Sequence, residues 1–171
     1  MLKYVNGDAT VPQGIQSLSV IAHLCNNKGK WGAGFTGALS ARWPQPEMEY
    51  RRWFADGVHQ GFRGGQTRFE LGQIQIVPVY AMRGGAPCIV VANMIAQNGI
   101  NKKGQNKCRV DYDALATALG EVREYLAWKD DGSVHMPRIG TGLACGDWSA
   151  IEPLIRLQLV EFGIDVTVYN G

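Results

Sequence analysis

His-Met-Pro-Arg-Ile-Gly-Thr-Gly-Leu-Ala-Cys-Gly-Asp-Trp, residues 135–148, is a buried-strand pattern that runs into a glycine-rich loop. An amphipathic pattern from Ser149 onward predicts a helix directly after that loop. Such a loop brings backbone N–H groups to a helix N-terminus, where the dipole and the unpaired donors favour a phosphate. A second stretch repeats the arrangement: Asn26-Asn27-Lys28-Gly29-Lys30-Trp31-Gly32-Ala33-Gly34-Phe35 follows the apolar residues 19–24 and leads into a helical pattern from Thr36. Two glycine loops, each between a strand and a helix, point to a ligand with two adjacent phosphates gripped from both sides.

Outward from these loops, residues 2–5 read as a short strand ending at Asn6-Gly7-Asp8, and 36–43 as a helix stopped by Pro44-Gln45-Pro46. Pro46 suits the first turn of another helix, with Tyr50, Trp53 and Phe54 on its apolar face through about residue 59. Residues 61–65 form a flexible break. Residues 71–80 alternate as a strand, with Pro78 at an edge or bend, and the continuous apolar run 88–94 belongs in the middle of a sheet. The lysine-bearing stretch 98–110 is a loop long enough to expect mobility or function. Helical spacing of Leu115, Leu119, Val122 and Leu126 covers 111–128, with Asp111 as N-cap and Asp130-Asp131-Gly132 as the stop. A strand at 133–137, a helix at 149–162 and a strand at 165–169 complete the chain. This alternation predicts one three-layer α/β/α domain over residues 1–171, with a mixed, largely parallel central sheet and its ligand at the carboxyl ends of the strands.

Composition narrows the function classes. The chain has 171 residues, 46% of them apolar and 19% charged, as in an ordinary globular protein, and its 22 glycines exceed the usual share. A net charge of +2 is too small to argue for nonspecific attachment to nucleic acid or a membrane surface, yet suits a small anionic ligand. Cys25, Cys88, Cys108 and Cys145 are widely spaced, so neither a structural metal nor a disulfide framework is expected. The N-terminal residues carry no apolar core of signal-peptide length, and no segment approaches the ~20 apolar residues of a membrane span. The expectation is a cytoplasmic monomer without membrane partner or cofactor.

Several residues carry chemistry at these positions. Asp8 follows the first strand, where a carboxylate accepts from an exocyclic amine such as adenine N6 while the N–H of Ala9 donates to a ring nitrogen; a turn aspartate before a helix near Pro12 is the plainer reading. The Gly32-Ala33-Gly34 loop is neither a Walker loop nor a GxGxxG turn, and Trp31 beside it either covers a ribose or simply packs. Asp147 either orients a water or stabilises positive charge at an anomeric carbon, or else caps the helix at Trp148. His23 is a candidate proton carrier or a satisfied core histidine. Asn26, Asn93 and Gln97 either bond ribose hydroxyls or satisfy local backbone, and Lys102, Lys103 and Lys107 form a basic rim or a solvated loop.

The combination resembles the macrodomain family, which binds ADP-ribose. The matching pieces are Gly7-Asp8-Ala9-Thr10, Asn26 with Trp31-Gly32-Ala33-Gly34-Phe35, Val91-Ala92-Asn93-Met94-Ile95, and the stretch from Met136 through Ile139-Gly140-Thr141-Gly142-Leu143-Ala144 to Trp148; with the element order they cover nearly the whole chain. The likeness is to the branch holding terminal ADP-ribose protein glycohydrolases and ADP-ribose 1″-phosphate phosphatases. It implies that Asp8 reads the adenine amine, that 32–35 and 139–144 hold the diphosphate and distal ribose, and that Tyr169 flanks the adenine. The chain departs from that branch in three places. Ala96-Gln97 stands where the glycohydrolases have a lysine, Ala144 where their aspartate follows Gly-x-Gly-Leu, and Asn27 where close relatives have an aspartate. Water attack assisted by Asp147 therefore replaces a lysine nucleophile in the expected mechanism. Two functions follow: a metal-independent hydrolase releasing a group from the distal ribose of an ADP-ribosylated protein, nucleic acid or small molecule, or a noncatalytic reader of ADP-ribose or a related NAD-derived nucleotide. A nucleotide-binding module outside the family, such as an RNA binder, is disfavoured by the near-neutral charge.

Overall fold

The computed structural model describes residues 1–14, 17–32, 34–81 and 87–171. A six-stranded sheet runs in the order β1 (Leu2–Val5), β8 (Val166–Tyr169), β7 (Ser133–Pro137), β2 (Ser19–Asn26), β6 (Pro87–Gln97), β5 (Ile74–Ala81). The first five are parallel to their neighbours and β5 is antiparallel to β6. The mixed, largely parallel sheet is as expected. Helices α1 (Phe35–Arg42) and α2 (Gln45–Asp56) belong to one layer, and α3 (Tyr112–Lys129) and α4 (Trp148–Gln158) to the other.

The layers follow from the two-residue period of the central strands, whose faces are both covered and therefore both apolar. Val20 and Ala22 of β2, with Val90, Ala92, Met94 and Ala96 of β6, pack under α3 and α4 against Leu115, Leu119, Val122, Ile151 and Ile155. Ile21 and Cys25, with Val91 and Ile95, face the other way toward Leu39, Tyr50 and Trp53 of α1 and α2. Trp53 is fully buried, its indole N–H donating to the Thr67 carbonyl at 3.1 Å.

A polar row crosses the sheet on the face toward α2. Register aligns His23, Asn93 and Gln75 across β2, β6 and β5, and all three are buried. His23 Nε2 donates to Asn93 Oδ1 at 2.5 Å, Asn93 Nδ2 to Gln75 Oε1 and the Pro46 carbonyl, and Gln75 Nε2 to the Glu49 carbonyl. Buried polar groups must be paired. Here the pairing also ties the backbone of α2 to the sheet.

Some boundaries differ from the sequence reading. The second helix ends at Asp56 rather than near residue 59, because Gly57 at φ 79 caps it in the left-handed region and β-branched Val58 follows. Residues 58–68 instead form a small hairpin, β3 (Val58–Gln60) with β4 (Gln66–Arg68), turned by 61–65. The last helical stretch divides at Leu159 into α4 and a 3₁₀ turn, Val160–Phe162. Among the described residues no helix starts at Pro12; a turn closed by Val11 N–H on the Asp8 carbonyl lies there. Asp111 caps α3 as expected, accepting from Ala114 N–H at 2.9 Å. Pro78 falls on the edge strand β5, beside an irregular register. Among the described residues no helix is long and apolar enough to cross a membrane.

Candidate ligand crevice

A cavity of about 640 Å³ opens at the C-terminal ends of β2, β6 and β7. Its walls are the two glycine loops: Lys30, Trp31, Gly32, Gly34 and Phe35 on one side, residues 137–144 on the other, with His23, Asn26, Gln97, Ile100 and Asn101 between them. That size falls within the roughly 300–1,000 Å³ of small-molecule sites. A smaller cavity of about 420 Å³ lies beside the β3–β4 hairpin and α3, with neither glycine loop in its lining.

The first loop is shaped by Asn26. Its Oδ1 accepts from the N–H groups of Lys28 and Lys30, and its Nδ2 donates to the Lys30 carbonyl at 2.8 Å. Tyr50 of α2 braces this turn, its hydroxyl donating to the Asn26 carbonyl at 2.6 Å. Gly29 sits at φ 73 against the Phe54 ring, where a Cβ would approach to 2.3 Å. The loop then delivers Gly34, at φ 74 and ψ −136, as the N-cap of α1. Among the described residues no side chain caps α1 and its first turn holds no acidic residue, so the positive end of the helix dipole faces the crevice uncompensated by a carboxylate of its own. Gly32, Gly34 and Gly142 have open space where a Cβ would stand, which lets a ligand reach the backbone.

The second loop closes on itself. Gly146 N–H donates to the Gly140 carbonyl at 2.7 Å and Cys145 N–H to Gly142 at 3.0 Å, while Cys145 adopts a left-handed φ of 56. A Cβ on Gly146 would meet the Gly140 oxygen at 2.6 Å. The 98–110 loop is clasped against it: Arg109 N–H donates to the Ala144 carbonyl, and Asn101 Nδ2 to the carbonyls of Lys107 and Leu143. Lys102, Lys103 and Lys107 stand exposed on that loop. Among the described residues lining the crevice, Lys30 and Arg138 are the charged ones, and no carboxylate is present.

The expected residues separate into three groups. Asn26, Trp31, Gly32, Gly34, Phe35, Gln97, Ile139, Gly140, Thr141, Gly142, Leu143, Ala144 and His23 all line the crevice. Ala33 lies outside the described residues. Trp31 is packed rather than free, its Nε1 donating to Ser40 Oγ at 2.7 Å and its ring lying edge-on to His23. Burial holds the His23 imidazole neutral, with its pKa pushed down to about 4, and its Nδ1 is buried without a partner among the described residues. Asp8 and Ala9 follow β1 at the same end of the sheet, outside the crevice lining; Asp8 Oδ1 accepts from the N–H and hydroxyl of Thr10, both at 2.8 Å.

Three expected side chains stand elsewhere. Asn93 is fully buried in the polar row, its amide bonded to Gln75 and the Pro46 carbonyl, and it does not line the crevice. Tyr169 is 2% exposed; its hydroxyl accepts from Gln13 N–H and bonds His135, holding the 8–14 segment rather than offering a ring face. Asp147 caps α4, accepting from the N–H and hydroxyl of Ser149 at 2.9 and 2.8 Å, and does not line the crevice. Those two bonds hold its carboxyl below the usual range. Conversely, Asn101, Ile100 and Arg138 line the crevice without having been singled out. Arg138 stood inside the motif itself; nothing local in the sequence marks Asn101 as a clasp.

No family model matches the chain. Among relatives, the chromodomain-helicase-DNA-binding protein 1-like of Danio rerio is 30% identical over 98% of this chain, which spans 15% of that protein's length. An ADP-ribose 1″-phosphate phosphatase of Scheffersomyces stipitis is 26% identical, over 97% of this chain and 99% of the relative. Among solved structures, a macrodomain protein from Streptomyces coelicolor superposes with a TM-score of 0.80 at 44% identity, covering 100% of this chain and 99% of that one. That likeness, end to end and with the glycine loops on the sheet's carboxyl edge, makes this chain a member of the macrodomain family.

Proposed function

We propose that the crevice binds ADP-ribose, with the diphosphate between the two glycine loops, the adenine toward Asp8 and the distal ribose toward Gln97 and Asn101. One observation carries this: an uncapped α1 N-terminus and a backbone open at Gly32, Gly34 and Gly142 line a cavity of about 640 Å³ whose charged walls are cationic. Titration calorimetry with ADP-ribose tests it, and absence of binding by the folded protein removes it.

The accompanying reaction is metal-independent hydrolysis of a group on the distal ribose, which the name of the Scheffersomyces stipitis relative supports. Asp147 and His23 are its candidate groups. Turnover of ADP-ribose 1″-phosphate, O-acetyl-ADP-ribose, ADP-ribosylated protein and ADP-ribosylated DNA identifies the bond. Full turnover in Asp147→Ala moves the chemistry to other residues. A noncatalytic reader is the second reading, favoured by the capping role of Asp147 and by the lack of a carboxylate among the described residues of the wall. Binding with no turnover across the panel decides for it.

A further inference from the structure

Arg138 is held at three points, and among the described residues no carboxylate lies at ion-pair distance from it; the nearby Glu152 is engaged by the Tyr4 hydroxyl. Its Nε donates to Asn170 Oδ1 at 3.0 Å, and its guanidinium carbon lies 5.1 Å from the Tyr4 ring centre and 5.3 Å from that of Trp148. Those two rings form an edge-on pair, tied by Trp148 Nε1 donating to the Tyr4 hydroxyl at 3.0 Å. Exposed arginines ordinarily keep their rotamer freedom, so one fixed by an amide and two aromatic rings has already lost the entropy that binding would cost. Of its five N–H donors, Asn170 takes the one on Nε. Arg42, Arg68 and Arg109 share that state, but only Arg138 of these four lines the crevice, whereas Arg51, Arg52, Arg63, Arg123 and Arg156 all have acidic partners. It nevertheless lines the crevice, immediately before Ile139 and Gly140.

We infer that Arg138 is the charge partner of the adenosine-side phosphate of the bound diphosphate, and that it selects for ligands carrying that phosphate. The inference rests on the ADP-ribose reading. Position along the sheet assigns the phosphate: β7, which ends one residue before Arg138, lies next to β8 on the Asp8 side, while Gln97 and Asn101 mark the opposite end. Lys30 lines the crevice from the other glycine loop, so each wall carries one cation for a dianionic diphosphate. A guanidinium adds a full positive charge to two parallel N–H bonds, whereas a backbone cradle supplies N–H donors without that charge.

The test is calorimetry of the full chain with ADP-ribose at about 50 and about 500 mM NaCl, since salt screens a charge contact and spares packing. Arg138→Gln is expected to weaken binding about tenfold or more at low salt and to flatten the salt dependence; Arg138→Lys, which keeps the charge but neither the paired donors nor the ring contacts, recovers the salt dependence and part of the affinity. Affinity of Arg138→Gln within twofold of the unaltered protein overturns the inference. So does a loss equal at both salt concentrations that lysine does not repair, which marks a packing role. Ribose 5-phosphate, which lacks the adenosine-side phosphate, is expected to bind both proteins alike, and a selective loss there also overturns it. Failure of the unaltered protein to bind ADP-ribose overturns the parent reading instead, and melting curves of each variant verify folding.

Discussion

His23 and His135 are both buried and both held neutral, each with its pKa pushed down from 6.5 to about 4, chiefly by loss of solvent and, for His135, also by Lys3. The unfolded chain binds these protons more readily, so their contribution is complete above pH 6.5 and is lost as pH falls toward 4. The limit is of order 3 kcal/mol for each ring. Urea denaturation at pH 7.5, 5.5 and 4.5 is therefore expected to show a steep acid loss, and proton NMR to show both imidazoles failing to titrate near 6.5. Titration at the ordinary value would contradict the burial. Asp147 belongs to the same scale: Asp147→Ala removes the α4 cap and is expected to lower Tm while ADP-ribose affinity stays within a few-fold, because the carboxylate caps a helix outside the crevice. At this scale the sequence was ambiguous by nature. A carboxylate beside a glycine loop reads equally as acid or cap, and only the Ser149 contacts decide its position. Asn93 and Tyr169 lie apart from the crevice lining for a related reason: strand periodicity cannot say which polar side chain is matched by another inside the fold.

At the scale of elements, the two glycine loops were legible because a strand, a glycine run and a helix leave distinct periods side by side. What could not be read was the clasp between the 98–110 loop and residues 140–146, which depends on contacts far apart in sequence. Gly146 tests that clasp. Gly146→Ala would push a methyl against the Gly140 oxygen and Val110, so it is expected to open the loop and weaken ADP-ribose binding at least tenfold, measurable by calorimetry, with smaller effect on Tm. Unchanged affinity would mean that the turn tolerates the methyl and does not set the cradle. The hairpin at 58–68 was missed because three-residue strands carry too little alternation to register. Its packing is nonetheless substantial: Trp53 lies 4.6 Å from the His59 ring and 5.1 Å from Phe69. Trp53→Ala is expected to cost about 3–5 kcal/mol, read from chemical denaturation.

Across the molecule, sheet order does what composition could not. A net charge of +2 says little, yet the topology gathers Lys30 and Arg138 at one crevice with no described carboxylate in its lining. A ligand that binds only the folded form raises stability by about 2.7 kcal/mol at a hundredfold excess over Kd. For a chain of this length that is a Tm rise of roughly 5–10 °C. ADP-ribose is expected to produce it and ribose alone is not. The polar row from His23 to Gln75 fastens α2 to the strands, and Tyr50 of that helix props the turn that presents Gly34. The outer layer and the first glycine loop are thereby one mechanical body. Occupancy should then slow deuterium uptake at amides along 45–56, a dozen residues that need never touch the nucleotide themselves.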